Sequence, residues 1–242
     1  MEFIVGMKVM NNLEILYEDN HIIVVVKPNN ILSQSDNTGD IDMLTIIKDY
    51  LKEKYHKPGN VYLGLVHRLD RPVSGVMVFA KTSKAAARLS KQVQDHTFKK
   101  TYLAIVNGTE IEDSGEYIDY IVKLDDNSSK VVDNKKGKYC KLMYTVLERN
   151  NELNLSLIKV ELETGRHHQI RVQFAHHGHV LYGDQRYGTP DKKQIALHAY
   201  QIKFIHPTTK EVMQFTKIPP QEGIWLKFKK LTNFSRNLKN FL

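Results

Sequence analysis

Short runs in which apolar and polar residues alternate, each closed by Gly, Pro, Asn or Asp, recur along this chain, and only a few stretches carry a helical period. The runs do not alternate regularly with helices. A parallel, doubly wound sheet needs a crossover helix between strands, whereas antiparallel strands need only tight turns. The pattern therefore predicts an α+β fold, a mixed and largely antiparallel central sheet with flanking helices. With 242 residues the chain can build one large domain or two small ones. No internal repeat, low-complexity linker or domain break is visible.

In order, residues 13–17 and 21–26 read as strands around an Asp19-Asn20 turn, and Lys27-Pro28 ends the second. After a polar loop over 29–39, Asp40 is placed to cap a helix carrying Leu44, Ile47 and Leu51 on one face. Ser83 is the expected cap of a second helix through Asp95, with Ala86, Leu89 and Val93 inward. Residues 99–106 read as a strand, and 109–138 turn polar enough to read as exposed hairpin loops. Strands resume over 138–147 and 153–162, the latter changing apolar phase between Leu157 and Ile158 as a β-bulge requires. Ile170 and Phe174 suit a short helix that Gly178 ends. Residues 195–205 and 211–216 form a hairpin, followed by an amphipathic helix presenting Trp225, Phe228 and Leu231.

The longest apolar run near the start, 22–26, is too short to span a membrane and has no features of a secretory signal, so a cytoplasmic location is expected. The single cysteine, Cys140, excludes an internal disulfide framework and a thiolate zinc cluster and reads as a packing residue. A net charge of +8 favours a polyanionic partner, nucleic acid ahead of a membrane surface.

Eleven histidines invite a metal reading, with His167, His168, His176, His177 and His179 crowded together. On a helix, however, His167 and His168 point in different directions, and no HExxH or comparable pairing with a carboxylate is present. His67 and Asp70 lack the second half of a binuclear site. No catalytic metal is expected, and His176, His177 and His179 read as surface or RNA-facing imidazoles. Ser74 lacks the preceding glycine of a nucleophile elbow, and neither a phosphate loop nor a dinucleotide fingerprint occurs. What remains is VHRLDRPVSGVMVFAKT, residues 66–82, where His67, Arg68, Asp70 and Arg71 cluster between two apolar runs with Pro72 and Gly75 supplying a turn. An aspartate framed by cations suits a displayed, ionised carboxylate, but the same spacing equally suits a charged surface turn.

His67-Arg68-Leu69-Asp70, followed by Ser74-Gly75 and an apolar strand ending Ala80-Lys81-Thr82, resembles the signature of the RluA-type pseudouridine synthases. Three further segments resemble the family in the same order. They are Asp19-Asn20-His21 with Lys27-Pro28, then Lys100-Thr101-Tyr102, then Thr164-Gly165-Arg166 through Arg171 with Gly183-Asp184. The likeness runs over about residues 13–220. Val73 stands where the family commonly has Thr. Only about a dozen residues precede the first strand, so the S4 RNA-binding domain of many relatives is expected to be absent. Residues 1–12 would be an extension, and 13–242 the catalytic domain.

The resemblance implies the pseudouridine synthase fold with an RNA-binding cleft, and isomerisation of specific uridines in ribosomal or transfer RNA. It implies that no cofactor is needed and that the partner is RNA; no metal, no DNA or membrane partner and a monomer are expected, although nothing in the sequence fixes the oligomeric state. Uracil is detached, turned over and rejoined through C5. Asp70 would act beside the ribosyl bond, as nucleophile or as base, with Arg171 facing and orienting it. Tyr102 would stack on the target base and Leu197 pack against its other side. Arg68 would help hold open the space left by a flipped base. Arg166, Lys99, Lys100, Lys81 and Lys27 would meet phosphates, while His67 and Arg71 support the loop. A catalytically silent RNA-binding or ribosome-assembly relative, and a His-rich metal-dependent hydrolase, are the competing readings.

Overall fold

The computed structural model describes residues 13–134 and 136–231, so the N-terminal extension lies outside the described residues. The chain divides into two compact units, one of residues up to Lys99 with Gln201–Lys217, the other of Lys100–Tyr200 with residues from Ile218 onward.

In the first unit β1 (Ile15–Glu18), β2 (Ile22–Lys27), β3 (Gly64–Leu65) and β4 (Ser74–Ala80) pair antiparallel, β2 with β1 and β4, and β3 with β4. The sequences IIVVVK and SGVMVFA are near-continuous apolar runs because both strands are almost wholly buried. Asp19 makes the β1–β2 turn by accepting the His21 and Ile22 N–H groups at 2.7 and 2.8 Å. Helix α1 (Met43–Lys54) is capped by Asp42, whose carboxylate accepts from the Leu44 and Thr45 N–H groups. Asp40, the expected cap, instead pairs with Arg71. Helix α2 (Ser83–Gln94) is capped one residue earlier than expected, by Thr82 Oγ1 accepting from the Ala85 N–H. Its Ala85 and Leu89 pack on Ile22, Val24, Val76 and Val78.

The second unit is built on β5 (Lys99–Asn107), β6 (Ser114–Lys123), β7 (Ser129–Val132), β8 (Lys138–Asn150) and β9 (Leu155–Leu162). They pair antiparallel in the order β5-β9-β8-β6-β7. Two of these strands lie where exposed loops were expected. In β6 only Tyr117, Asp119 and Ile121 are buried, and a charged residue among the three inward positions concealed the period of two. The bulge is real but sits on the partner strand. β9 keeps register with β5 throughout, while β8 shifts between Val146 and Glu148, opposite Ile158 and Leu157, so the extra residue is Leu147.

Helix α3 (Gln169–His176) buries Ile170 and Phe174. It ends as expected at Gly178, where φ is +85°, with the His179 N–H returning to the Phe174 carbonyl at 2.8 Å. In place of one continuous closing helix there is a 3-10 turn, Gly223–Lys227, and Trp225, Phe228 and Leu231 pack on Leu103, Ile105, Leu155 and Leu157. Strand β10 (Leu197–Ile205) has its first four residues in this unit and the rest in the first, where it pairs with β11 (Val212–Thr216) as the expected hairpin. Among the described residues no helix is long and apolar enough to cross a membrane.

Candidate active site

Asp70 stands half-buried between β3 and β4, in a segment whose main chain is pinned on both sides of it. The buried Ser33 hydroxyl accepts the Leu69 N–H at 3.0 Å and donates to the Leu69 carbonyl at 2.7 Å. The Asp70 carbonyl accepts the Val73 N–H at 3.0 Å, closing a turn over Arg71-Pro72. From the end of β2 comes Lys27, fully buried, whose Nζ donates to the carbonyls of Pro28 (3.0 Å), Arg71 (3.0 Å) and Val73 (2.7 Å). Three N–H groups thus meet three carbonyls, the one inventory that satisfies a buried ammonium. Burial pulls this ammonium down to about 7, against the attraction of the Asp70 charge and with the repulsion of Arg71.

Two further features shape the loop. Gly75, paired with Lys27 across β2 and β4, has φ of +128°, where a side chain is strained. His67 Nε2 accepts the Val78 N–H at 3.1 Å, and its ring lies 5.2 Å from that of Phe98. Together with the Arg71–Asp40 ion pair, this ties both flanks of the loop to the first unit.

In the second unit Arg171 projects from α3 and is 6% exposed. Its Nε and Nη2 each donate at 2.8 Å to the two carboxylate oxygens of Asp184, a bidentate pair, and its guanidinium lies 5.3 Å from the Tyr187 ring. Asp184 Oδ1 also accepts the N–H groups of Arg186 and Tyr187, at 3.0 and 3.2 Å. Burial works against ionisation of this carboxyl, but the Arg171 hydrogen bonds and charge outweigh it and hold it below its ordinary value. Gly183 before it has φ of +72°, and a Cβ there would sit 2.4 Å from the Gln194 carbonyl oxygen. Tyr102 on β5 is 7% exposed and Leu197, which opens β10, is 4% exposed. Asp70 and Arg68 therefore belong to the first unit, and Tyr102, Arg171, Arg166, Lys100 and Leu197 to the second.

The cations assigned to phosphates divide into two groups. Lys99 and Arg166 are exposed, Arg166 with its Nε donating to the Tyr139 carbonyl at 2.9 Å, and Arg68, assigned instead to the space of a flipped base, is exposed as well. Lys27 is internal, which removes it from any phosphate. Lys81 is committed to Glu18 at 2.7 Å and to the Asp19 carbonyl, with its side chain 9% exposed, so it fastens the β1–β2 turn. Lys100 lies over Gly165, where a Cβ would meet its Nζ at 2.6 Å, and burial draws its ammonium down. His167 and His168 precede α3 and stack on one another at 3.9 Å, so the expectation that they diverge on a helix is corrected. Cys140 is fully buried, and burial pushes its thiol up to about 11, as suits a packing residue.

Residue-by-residue reading missed three contributors. Asp184 as the partner of Arg171 had a signal, an acid directly after glycine within the arginine segment. Lys27 had the Lys-Pro step at a strand end. Ser33, in a loop rich in Ser, Asn and Asp, had none.

A sequence profile of the family described as RNA pseudouridylate synthase matches residues 21–176. A Bacillus subtilis protein named as an uncharacterized RNA pseudouridine synthase is 36% identical over 204 residues, 83% of this chain and 67% of that protein. Ribosomal large subunit pseudouridine synthase D of Zymomonas mobilis is 34% identical over 240 residues, 93% of this chain and 74% of that one. Among solved structures, human RNA Pseudouridylate Synthase Domain Containing 4 shares the fold, with a TM-score of 0.73 over 90% of this chain and 94% of that one at 21% identity. The chain spans about two thirds of the length of the curated relatives it matches. With the profile covering more than half of it and relatives above 30% identity over most of it, the chain belongs to the RNA pseudouridylate synthases, a family of isomerases acting on RNA.

Proposed function

We propose that this protein isomerises specific uridines in structured ribosomal or transfer RNA to pseudouridine, with Asp70 as the catalytic group. The observation that carries the reading is the pinned loop: Leu69, Asp70, Arg71 and Val73 all have their carbonyls held by hydrogen bonds. A carboxylate mounted so rigidly needs no reorganisation to act at the ribosyl bond, as nucleophile or as base. The geometry of the loop suits either role.

Arg171, oriented by Asp184, is assigned to orienting Asp70, Tyr102 and Leu197 to flanking the base, and Arg68 to the space a flipped base leaves. Support for Arg171 is its place in the family's arginine segment and the bidentate pair that fixes its guanidinium. Relatives named for the ribosomal large subunit favour ribosomal RNA. A cytoplasmic monomer that acts on RNA, and on neither DNA nor membranes, belongs to the same reading, and the net charge of +8 supports its polyanionic partner.

Incubation with unmodified ribosomal and transfer RNA transcripts, followed by carbodiimide labelling and primer extension, is expected to reveal pseudouridine at discrete positions. RNA binding without pseudouridine on any substrate would establish the silent relative instead. Lys99→Ala, which alters an exposed residue at the start of β5, is expected to weaken RNA binding and to reduce the slope of log K against log salt by about one. An unchanged slope would remove Lys99 from the RNA-facing surface.

A further inference from the structure

Helix α3 ends at His176, and His177 is its C-cap. Consecutive side chains on a helix diverge by about 100°. Here, nevertheless, the two imidazoles stand edge to face with centroids 5.1 Å apart at 86°, and β6 brings Asp119 to them. One potential ligand atom from each of Asp119, His176 and His177 lies within 4.8 Å of the others.

Two of the three side chains, His177 and Asp119, are held in place. The His177 ring stacks flat on Tyr117, 3.9 Å between centroids at 5°, and its Nε2 lies 3.1 Å from Asp119 Oδ2. Gln173 Nε2 donates to the same Asp119 oxygen at 2.7 Å and to the Tyr117 carbonyl at 3.2 Å. Outer hydrogen bonds of this kind orient the ligands of built metal sites. The other end of the same carboxamide, Gln173 Oε1, is buried and has no hydrogen-bond partner among the described residues. A buried acceptor without a protein donor calls for an ordered water or an ion to satisfy it.

We infer that Asp119, His176 and His177 bind a divalent transition-metal ion, zinc foremost, apart from the residues assigned to uridine isomerisation. Two imidazoles are borderline donors that, with one carboxylate, suit zinc and its neighbours, whereas magnesium and calcium take oxygen ligands alone. The last carbonyls of α3 add a partial negative charge that favours a cation at this end of the helix. Both histidines are exposed, so an ion enters directly from solvent, and three protein ligands leave a position for water. The bound ion fastens the end of α3, the helix that carries Arg171, to β6.

The test uses the untagged full chain, stripped with chelator and titrated with zinc by calorimetry and with cobalt(II) by visible absorption. Saturable binding of one ion per chain is expected, with a rise in melting temperature on adding zinc. His176→Ala and His177→Ala should each weaken binding at least about tenfold and abolish the rise, while His56→Asn, an exposed site in the first unit, leaves both unchanged. No saturable binding, or wild-type affinity in both His176→Ala and His177→Ala, would overturn the assignment.

Discussion

Asp70→Asn is expected to lower kcat/KM for pseudouridine formation by roughly 10³-fold or more while RNA affinity stays within about tenfold. In free-energy terms that is about 4 kcal/mol lost from the transition state against at most about 1.4 kcal/mol from binding. The separation follows from how the loop is held. Ser33 and Lys27 grip main-chain atoms of Leu69, Arg71 and Val73, and the turn is closed by the Asp70 carbonyl, so an isosteric amide leaves the backbone where it was. What disappears is the negative charge and the lone pair that attacks carbon or takes a proton. Single-turnover pseudouridine formation and filter binding, measured on the same RNA, separate the two quantities. Turnover near the wild-type rate would show that another carboxylate does the chemistry.

Lys27→Met should reduce turnover by about 10²-fold and lower stability by about 2–4 kcal/mol. Methionine matches the volume but withdraws three donors, leaving the carbonyls of Pro28, Arg71 and Val73 without them, that of Val73 in a buried position. Part of that loss is offset because an ammonium no longer has to be buried. The loop that carries Asp70 then loses one of its two grips, and a displacement of about 1 Å suffices for the activity effect.

The same residue gives stability a pH dependence of definite sign. In the unfolded chain Lys27 holds its proton up to its ordinary value of 10.5, while burial in the fold brings it to about 7. Between those values the unfolded chain binds more protons, so this group's contribution to stability grows as pH rises through the window and is smallest below it. Lys27→Met removes that slope. Denaturant midpoints should therefore show the variant's deficit widening from pH 7 toward pH 10. Parallel curves for the two proteins would mean that Lys27 is not buried as a titrating group. Removing the Asp70 charge, which favours the ammonium, should move the Lys27 transition to lower pH.

The strands β2, β4, β5 and β9, helices α1 and α2, and the β10–β11 hairpin were legible because each is announced by its own residues, through apolar period, turn chemistry or a capping side chain. The caps still moved, to Asp42 and Thr82. For Asp40 the reason lies outside the helix, since Arg71 takes its carboxylate. The phase change in β9 announced a bulge correctly, yet pairing alone decides which strand carries the extra residue, and it is Leu147 of β8. β6 escaped notice because its inward face includes Asp119, whose polar partners Gln173 and His177 lie more than 50 residues away.

The site divides along the same line. The catalytic candidates were named by short motifs, Asp70 by HRLD and Arg171 by its arginine segment. Lys27 reads as one more cation of a basic chain until the carbonyls of Arg71 and Val73, 44 and 46 residues onward, are seen to surround it. Arg171 likewise acquires its orientation from Asp184, 13 residues away. By itself the sequence determined a largely antiparallel α+β fold, a family and the aspartate proposed here as its catalyst, because periodicity and motifs are local. Which charges face solvent, which are buried and what each one holds were decided only by the tertiary structure, because a buried charge is stabilised by donors and acceptors that folding brings from distant positions.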